Sequence, residues 1–177
     1  MSSLTHGLCG SAGEYYVAAE LSHRGFLATV TTRNAESVDV LAARPNSGRA
    51  LKLQVKSSQG SKVHWILRQK DEEDRGVGYF YVFVSLHGPG VRPDYFIVPG
   101  RVVAEIVKSG HAMWLTGTKK NGQARKDTAM RGFGAEAMPY KEAWHLLEQE
   151  ANQAPEPTST SVTPRAPYHR QPMAAGG

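Results

Sequence analysis

Three side chains on two neighbouring segments have the types and spacing that phosphodiester chemistry needs. In Leu51-Lys52-Leu53-Gln54-Val55-Lys56 the apolar and polar residues alternate strictly. A strand here turns Leu51, Leu53 and Val55 one way and Lys52, Gln54 and Lys56 the other, so Gln54 and Lys56 share a face. The preceding segment, Val38-Asp39-Val40-Leu41, sets one carboxylate in an otherwise apolar run, where an ionised group is costly unless it is paired or holds a cation. A hairpin joining the two segments brings Asp39 beside Gln54 and Lys56. Oxygen donors of this kind suit Mg²⁺, and an ammonium next to them can orient a water or neutralise charge forming on a phosphorane.

The elements that must position these groups are legible from periodicity. Ser11 to about Arg24 reads as a helix with Tyr16, Val17 and Leu21 on its apolar face and Gly25 at the C-terminal cap. Short β-type segments follow at Leu27–Thr31, Val38–Ala43 and Leu51–Ser57, the last two joined across the turn-rich Arg44–Arg49 as a hairpin. Val63–Leu67 is extended, and the charged Lys70–Arg75 is a solvated loop or a short helix. Tyr79–Ser85 is aromatic and aliphatic almost throughout, as in a strand buried on both faces, and Asp94–Val98 is a further strand. Helical spacing returns at Arg101–Ser109 and at Tyr140–Glu150. The expected fold is one α/β layered domain over residues 1–150.

Gly13-Glu14 on a first helix, Asp39 on a second strand and Gln54-Val55-Lys56 on a third, in the order α-β-β-β-α-β, resemble the PD-(D/E)xK nuclease superfamily, which includes restriction endonucleases and archaeal Holliday-junction resolvases. The resemblance covers roughly residues 10 to 110. It implies a restriction-endonuclease-like αβββαβ core, in which a central mixed sheet is flanked by helices. Implied catalytic residues are Glu14, Asp39, Gln54 and Lys56; implied ligands for Mg²⁺ or Mn²⁺ are Asp39, Gln54 and the Val55 backbone carbonyl, with Glu14 as a further candidate. Two positions depart from the family pattern. Val38 stands where Pro is usual, which touches the turn and no chemistry. Gln54 stands where Asp or Glu is more frequent, which removes one negative charge and should weaken ion affinity, although some branches of the superfamily use Gln here.

Each of these residues also has a structural reading. Ser11-x-x-Glu14 fits a capping box, Asp39 can pair with Arg33, Arg44 or Lys56, and Ser57-Ser58 can be a plain strand exit as well as a pair of phosphate contacts. Lys119, Lys120, Arg125, Lys126 and Arg131 cluster near Trp114 and Phe133 among several glycines. They form either a basic loop that grips a phosphate backbone or an ordinary exposed one. Trp65 and Trp144 lie in apolar settings and belong to the core.

Composition narrows the function classes. A formal charge of +5 and a pI near 9.4 favour acidic partners without naming one. A lone Cys9 excludes an internal disulfide, and none of the 7 histidines pairs at zinc-ligand spacing. No apolar run approaches the roughly 20 residues of a membrane helix, so a cytoplasmic protein with no membrane partner is expected. Residues 151–177 hold five of the 10 prolines with much Ser, Thr, Ala and Gly, a composition that predicts a disordered tail. The sequence reading is therefore a Mg²⁺-dependent DNA endonuclease. Its rival is a nucleic-acid-binding module on a nuclease-like fold that no longer cleaves, acting in DNA repair, mobile elements or phage defence. Expected partners are DNA, with RNA as the alternative, and a second copy of the chain in a homodimer.

Overall fold

The protein is described from a computed structural model, in which residues 4–31, 37–45, 49–60 and 63–153 are described. The first helix, α1 (His6–His23), begins five residues before the sequence suggests, because Thr5 caps it by accepting the Leu8 N–H at 3.4 Å. Ser11 and Glu14 are thus inside the helix, and the capping-box reading of this pair is corrected. Its C-terminus closes as expected: Gly25 takes φ +82°, the Phe26 N–H reaches the Leu21 carbonyl at 3.0 Å and the Gly25 N–H that of Ser22 at 3.0 Å.

Three strands then build one edge and the centre of the main sheet, β1 (Leu27–Val30), β2 (Val40–Ala43) and β3 (Ala50–Gln59), and β4 (Trp65–Arg68) follows in a second layer. A 3₁₀ segment, Gln69–Glu72, leads to β5 (Tyr79–Leu86), β6 (Asp94–Pro99) and the long helix α2 (Gly100–Leu115). After it come β7 (Met130–Phe133), a second 3₁₀ segment over Ala135–Tyr140 and α3 (His145–Ala151). The main sheet has five strands in the order β1-β2-β3-β5-β6. It is mixed: β3 and β5 run parallel, whereas the β1–β2, β2–β3 and β5–β6 pairs are antiparallel.

The parallel step from β3 to β5 crosses over through β4 and the 3₁₀ segment, which occupy the place of the second helix in an αβββαβ order. The sequence explains the difference, since Trp65-Ile66-Leu67-Arg68 alternates buried and exposed while helical spacing of apolar residues appears only from Val102 onward. β7 also departs from expectation: it pairs antiparallel with β4 inside the stretch read as a basic loop. The helix expected over 140–150 is shortened to α3 because Glu142 takes a left-handed φ of +54°, and its N–H bonds the Tyr95 carbonyl at 2.8 Å instead of entering a helix.

Two cores flank the sheet. α1 and α3 cover one face, with Val17, Leu21, Trp144 and Leu147 against Leu51, Leu53, Val82 and Val84. On the other face α2 and the β4–β7 pair cover Tyr79, Tyr81 and Phe83. Here Tyr81, Phe83 and Phe133 stack at centroid distances of 5.7 and 4.6 Å, each pair contributing about 0.5–1.5 kcal/mol beyond burial. Trp65 and Trp144, both 2% exposed, are core residues as expected. Among the described residues no helix is long and apolar enough to cross a membrane. The tail expected from residue 151 lies outside the described residues beyond Gln153, and Ala151 itself is fully buried in α3.

Candidate active site

The site is a notch where β2 starts and β3 runs on alone. Register pairs Val40 with Leu53 as the last β2–β3 couple, and the Asp39 N–H closes the ladder on the Leu53 carbonyl at 2.9 Å. Two residues further along β3, the Val55 N–H points to the same side and finds no strand. The Asp39 carboxylate takes its place: Oδ2 accepts the Val55 N–H at 2.7 Å and also the Gln54 side-chain Nε2. Asp39, Gln54 and Val55 are thus brought together by an edge that β2 leaves open; of the two partners expected for Asp39 across the hairpin, Gln54 is the one it bonds.

Burial of the Asp39 carboxyl pushes its pKa above the ordinary carboxylate value. The Val55 N–H, the charge of Lys56, the Gln54 amide and the charge of Lys70 oppose that shift without cancelling it. A half-buried carboxylate whose ionised form is underpaid by its surroundings is a group that gains from a cation. Gln54 is only 7% exposed, and with Nε2 committed to Asp39 its Oε1 is the arm left for a ligand. Lys56, half-buried, follows on the same face as Gln54, opposite Phe83 in the register.

Sequence reasoning did not find three residues that hold the Asp39 turn. Ser37 takes a left-handed φ of +58°, an unusual conformation for a residue other than glycine. Its carbonyl accepts the Tyr79 phenol at 2.5 Å and its Oγ the Lys70 ammonium at 3.1 Å. Burial raises the Tyr79 phenol to about 12, so it stays a donor. Beneath it Tyr81 donates to Asp71 at 2.8 Å, and the other oxygen of that buried carboxylate accepts the Arg68 N–H at 2.8 Å. The two contacts to Ser37 span more than thirty residues of chain, and only the alternation that puts Tyr79 and Tyr81 on one face of β5 hinted at them.

The other expected residues stand on neighbouring elements. Glu14 is a half-buried residue of α1, which packs on the Leu51–Leu53–Val55 face, whereas Gln54 and Lys56 face the opposite layer. Ser57 lies under α1, so close that a Cβ on Gly13 would sit 1.7 Å from its Oγ. The hydroxyls of Ser57 and Ser58 are both buried, which corrects their reading as open phosphate contacts. Arg131 is corrected too. It is 4% exposed in β7, and its guanidinium bonds the Glu72 carboxylate and the Thr128 carbonyl and lies 3.5 Å from Asp127. Lys119, Lys120 and Lys126 are exposed as expected, and Arg125 lies over the Trp114 ring at 5.0 Å. Arg33 lies outside the described residues; Arg44 pairs with Glu148 at 3.8 Å.

A divalent ion fits the notch by donor chemistry. In a strand the N–H and C=O of one residue point to the same side, so the Val55 carbonyl is aimed where its N–H meets Asp39. With the free arms of Asp39 and Gln54 it offers hard oxygens of the kind Mg²⁺ accepts. Among the described residues no three His, Cys, Asp or Glu side chains gather as a metal cluster.

No family model matches the chain, and no curated protein is similar to it. Two solved structures are similar in fold. One is a Holliday junction resolvase from Archaeoglobus fulgidus, at 14% identity and TM-score 0.46, covering 78% of this chain and 95% of that one. The other is a bacterial homing endonuclease, at 17% identity and TM-score 0.48, covering 84% of this chain and 96% of that one.

Proposed function

We propose that the protein is a metal-dependent endonuclease that hydrolyses phosphodiester bonds in DNA. The observation that carries the reading is the convergence of the Asp39 carboxylate, the Gln54 amide and the Val55 backbone at a strand edge, with the Lys56 ammonium on the Gln54 face. Asp39, Gln54 and the Val55 carbonyl would hold the ion. When bound, it supplies Lewis acidity for the scissile phosphate and a water of lowered pKa. Lys56 neutralises charge on the phosphoryl oxygens as the phosphorane forms, and the Tyr79–Ser37–Lys70 contacts keep the Asp39 turn from swinging away. Glu14 assists from the α1 side, through the ion or its water.

A second reading, a nucleic-acid-binding module without cleavage, is favoured by one observation: the Asp39 carboxylate already serves Val55 and Gln54, and Gln54 adds no charge. Calorimetric titration of Mg²⁺ or Mn²⁺, alongside cleavage of single-stranded, duplex and branched DNA, separates the two. Ion-dependent cleavage by the natural chain supports the nuclease. Gln54→Glu should bind the ion more tightly and, in a nuclease, work at lower Mg²⁺. Absence of ion binding in both proteins, even with DNA present, would defeat the metal site, and cleavage undiminished in a chelator would defeat the mechanism.

A further inference from the structure

A second concave surface lies on the same side of the sheet as Gln54 and Lys56. It is a cleft of about 420 Å³ between the C-terminal half of α2 and the β4–β7 pair. That volume is within the roughly 300–1,000 Å³ of ligand clefts. Its apolar wall is unusually open for a small domain: Ile66, Met130 and Trp114 line it and are 54%, 59% and 41% exposed. Its polar groups are His64, His111, Thr128, Arg131 and Glu136.

The rim is basic and built. The chain after α2 returns on itself through a Thr118–Ala124 bridge, with the Lys119 N–H on the Gln123 carbonyl at 2.8 Å and Gly122 at φ +78° in the turn. This hairpin presents Lys119 and Lys120 to solvent at its tip. Arg125 then folds back, placing its guanidinium over the Trp114 ring and donating to the Trp114 carbonyl at 2.8 Å. His111 stacks on the same ring at 5.4 Å and is held by Asp127 at 2.7 Å. Arg131, closed off by Glu72, contributes to the lining without a free charge, so the charge that meets a ligand comes from the hairpin.

We propose that this cleft takes an unpaired nucleobase of a nucleic-acid strand whose phosphates lie along Lys119, Lys120 and Lys126. The inference deepens the reading of the protein as one that acts on nucleic acid. Planar aromatic walls, an apolar strip and a few hydrogen-bonding groups suit a base, and the lysines select a polyanion as its carrier. The β4–β7 pair and α2 pack on the Tyr79–Tyr81–Phe83 face, and Gln54 lies beside Tyr81 in the register, so the notch and the cleft belong to the same side of the sheet.

The test is binding of a fluorescent single-stranded DNA of about ten nucleotides to the full chain in a chelator, where no cleavage occurs, with an abasic oligomer and a blunt duplex as comparisons. Gly110 lines the cleft in α2, and a Cβ there would meet nothing within 4 Å, so the backbone admits a side chain at this point and Gly110→Leu puts one into the cleft. Gly110→Leu and Trp114→Ala should each weaken single-strand binding by about 5- to 100-fold, the range of one lost base stack. Abasic and duplex binding should change little, and the melting temperature of Gly110→Leu should not fall. Lys119→Ala with Lys120→Ala should weaken all three ligands and reduce the salt dependence. Wild-type affinity in Gly110→Leu, equal binding of the abasic oligomer, or equal competition by polyglutamate would overturn the proposal. Failure of the nuclease reading is seen separately, as intact single-strand binding with no cleavage at any metal concentration.

Discussion

At the scale of single residues the informative group is Asp39. Its pKa is raised, so the folded protein holds the proton more tightly than the unfolded chain does. Stability from this group is therefore greatest at low pH and declines as pH rises from the unfolded value through the folded one. Asp39→Asn should be inactive yet at least as stable as the natural protein at neutral pH. Thermal melts of both proteins across a pH series should show that advantage shrinking as the medium is acidified. Adding Mg²⁺ should raise the melting temperature of the natural chain alone, since only it gains a ligand. A variant that melts lower at neutral pH would mean that the Val55 and Gln54 contacts outweigh the burial penalty. Lys56 makes a different prediction, because in the proposed mechanism it touches the reacting phosphate and not the ion. Lys56→Ala should keep metal affinity while turnover falls on the order of 10²- to 10³-fold, measured by titration and single-turnover cleavage on the same preparations.

At the scale of elements, the packing of α1 on β3 sets the strand that carries Gln54 and Lys56. Gly13 is the point of closest approach, and a Cβ there would sit 1.7 Å from Ser57 Oγ and 2.9 Å from its Cβ. Alanine in a helix interior gains up to about 1 kcal/mol over glycine, but overpacking costs about 1–3 kcal/mol, so Gly13→Ala should be destabilising. Chemical denaturation should also show that Ser57→Gly recovers most of the loss in the double variant. Additive effects of the two changes would mean that α1 does not bear on β3 at this point. The Ser37 turn is the second positioning device, since two donors from distant elements, Tyr79 and Lys70, hold a left-handed residue two positions before Asp39.

At the scale of the whole molecule the question is where the folded unit ends. Ala151 is fully buried against the α1–α3 core, while residues 154–177 are rich in Pro, Ser, Thr, Ala and Gly. A chain cut after Gln153 should melt within about 2 °C of the natural one, because little apolar area is lost. A chain cut after Glu150 should melt measurably lower. A large loss from the first cut would show that the last residues pack on the domain.

What the sequence determined by itself is the part governed by local period and local cost. Alternation in 51–56 assigns Gln54 and Lys56 to one face, and a carboxylate in an apolar run marks Asp39 as needing a partner. Gly25 ends α1 for a reason that two residues of chain suffice to state. Only the tertiary structure decided what meets those residues. The β2–β3 register stops at Val40, and that stop, not any residue type, leaves the Val55 N–H for Asp39 to accept. Arg131 has the composition of a phosphate contact, yet β7 pairs with β4 and seals it against Glu72. Tyr79, Lys70 and Ser37 meet across the fold, and the cleft beside Trp114 lies between α2 and a strand whose β character is hidden among charged residues. Periodicity fixes which way a side chain faces; what stands opposite it depends on long-range pairing, where register and closure are chosen by the sum of many weak contacts and are written in no short stretch of chain.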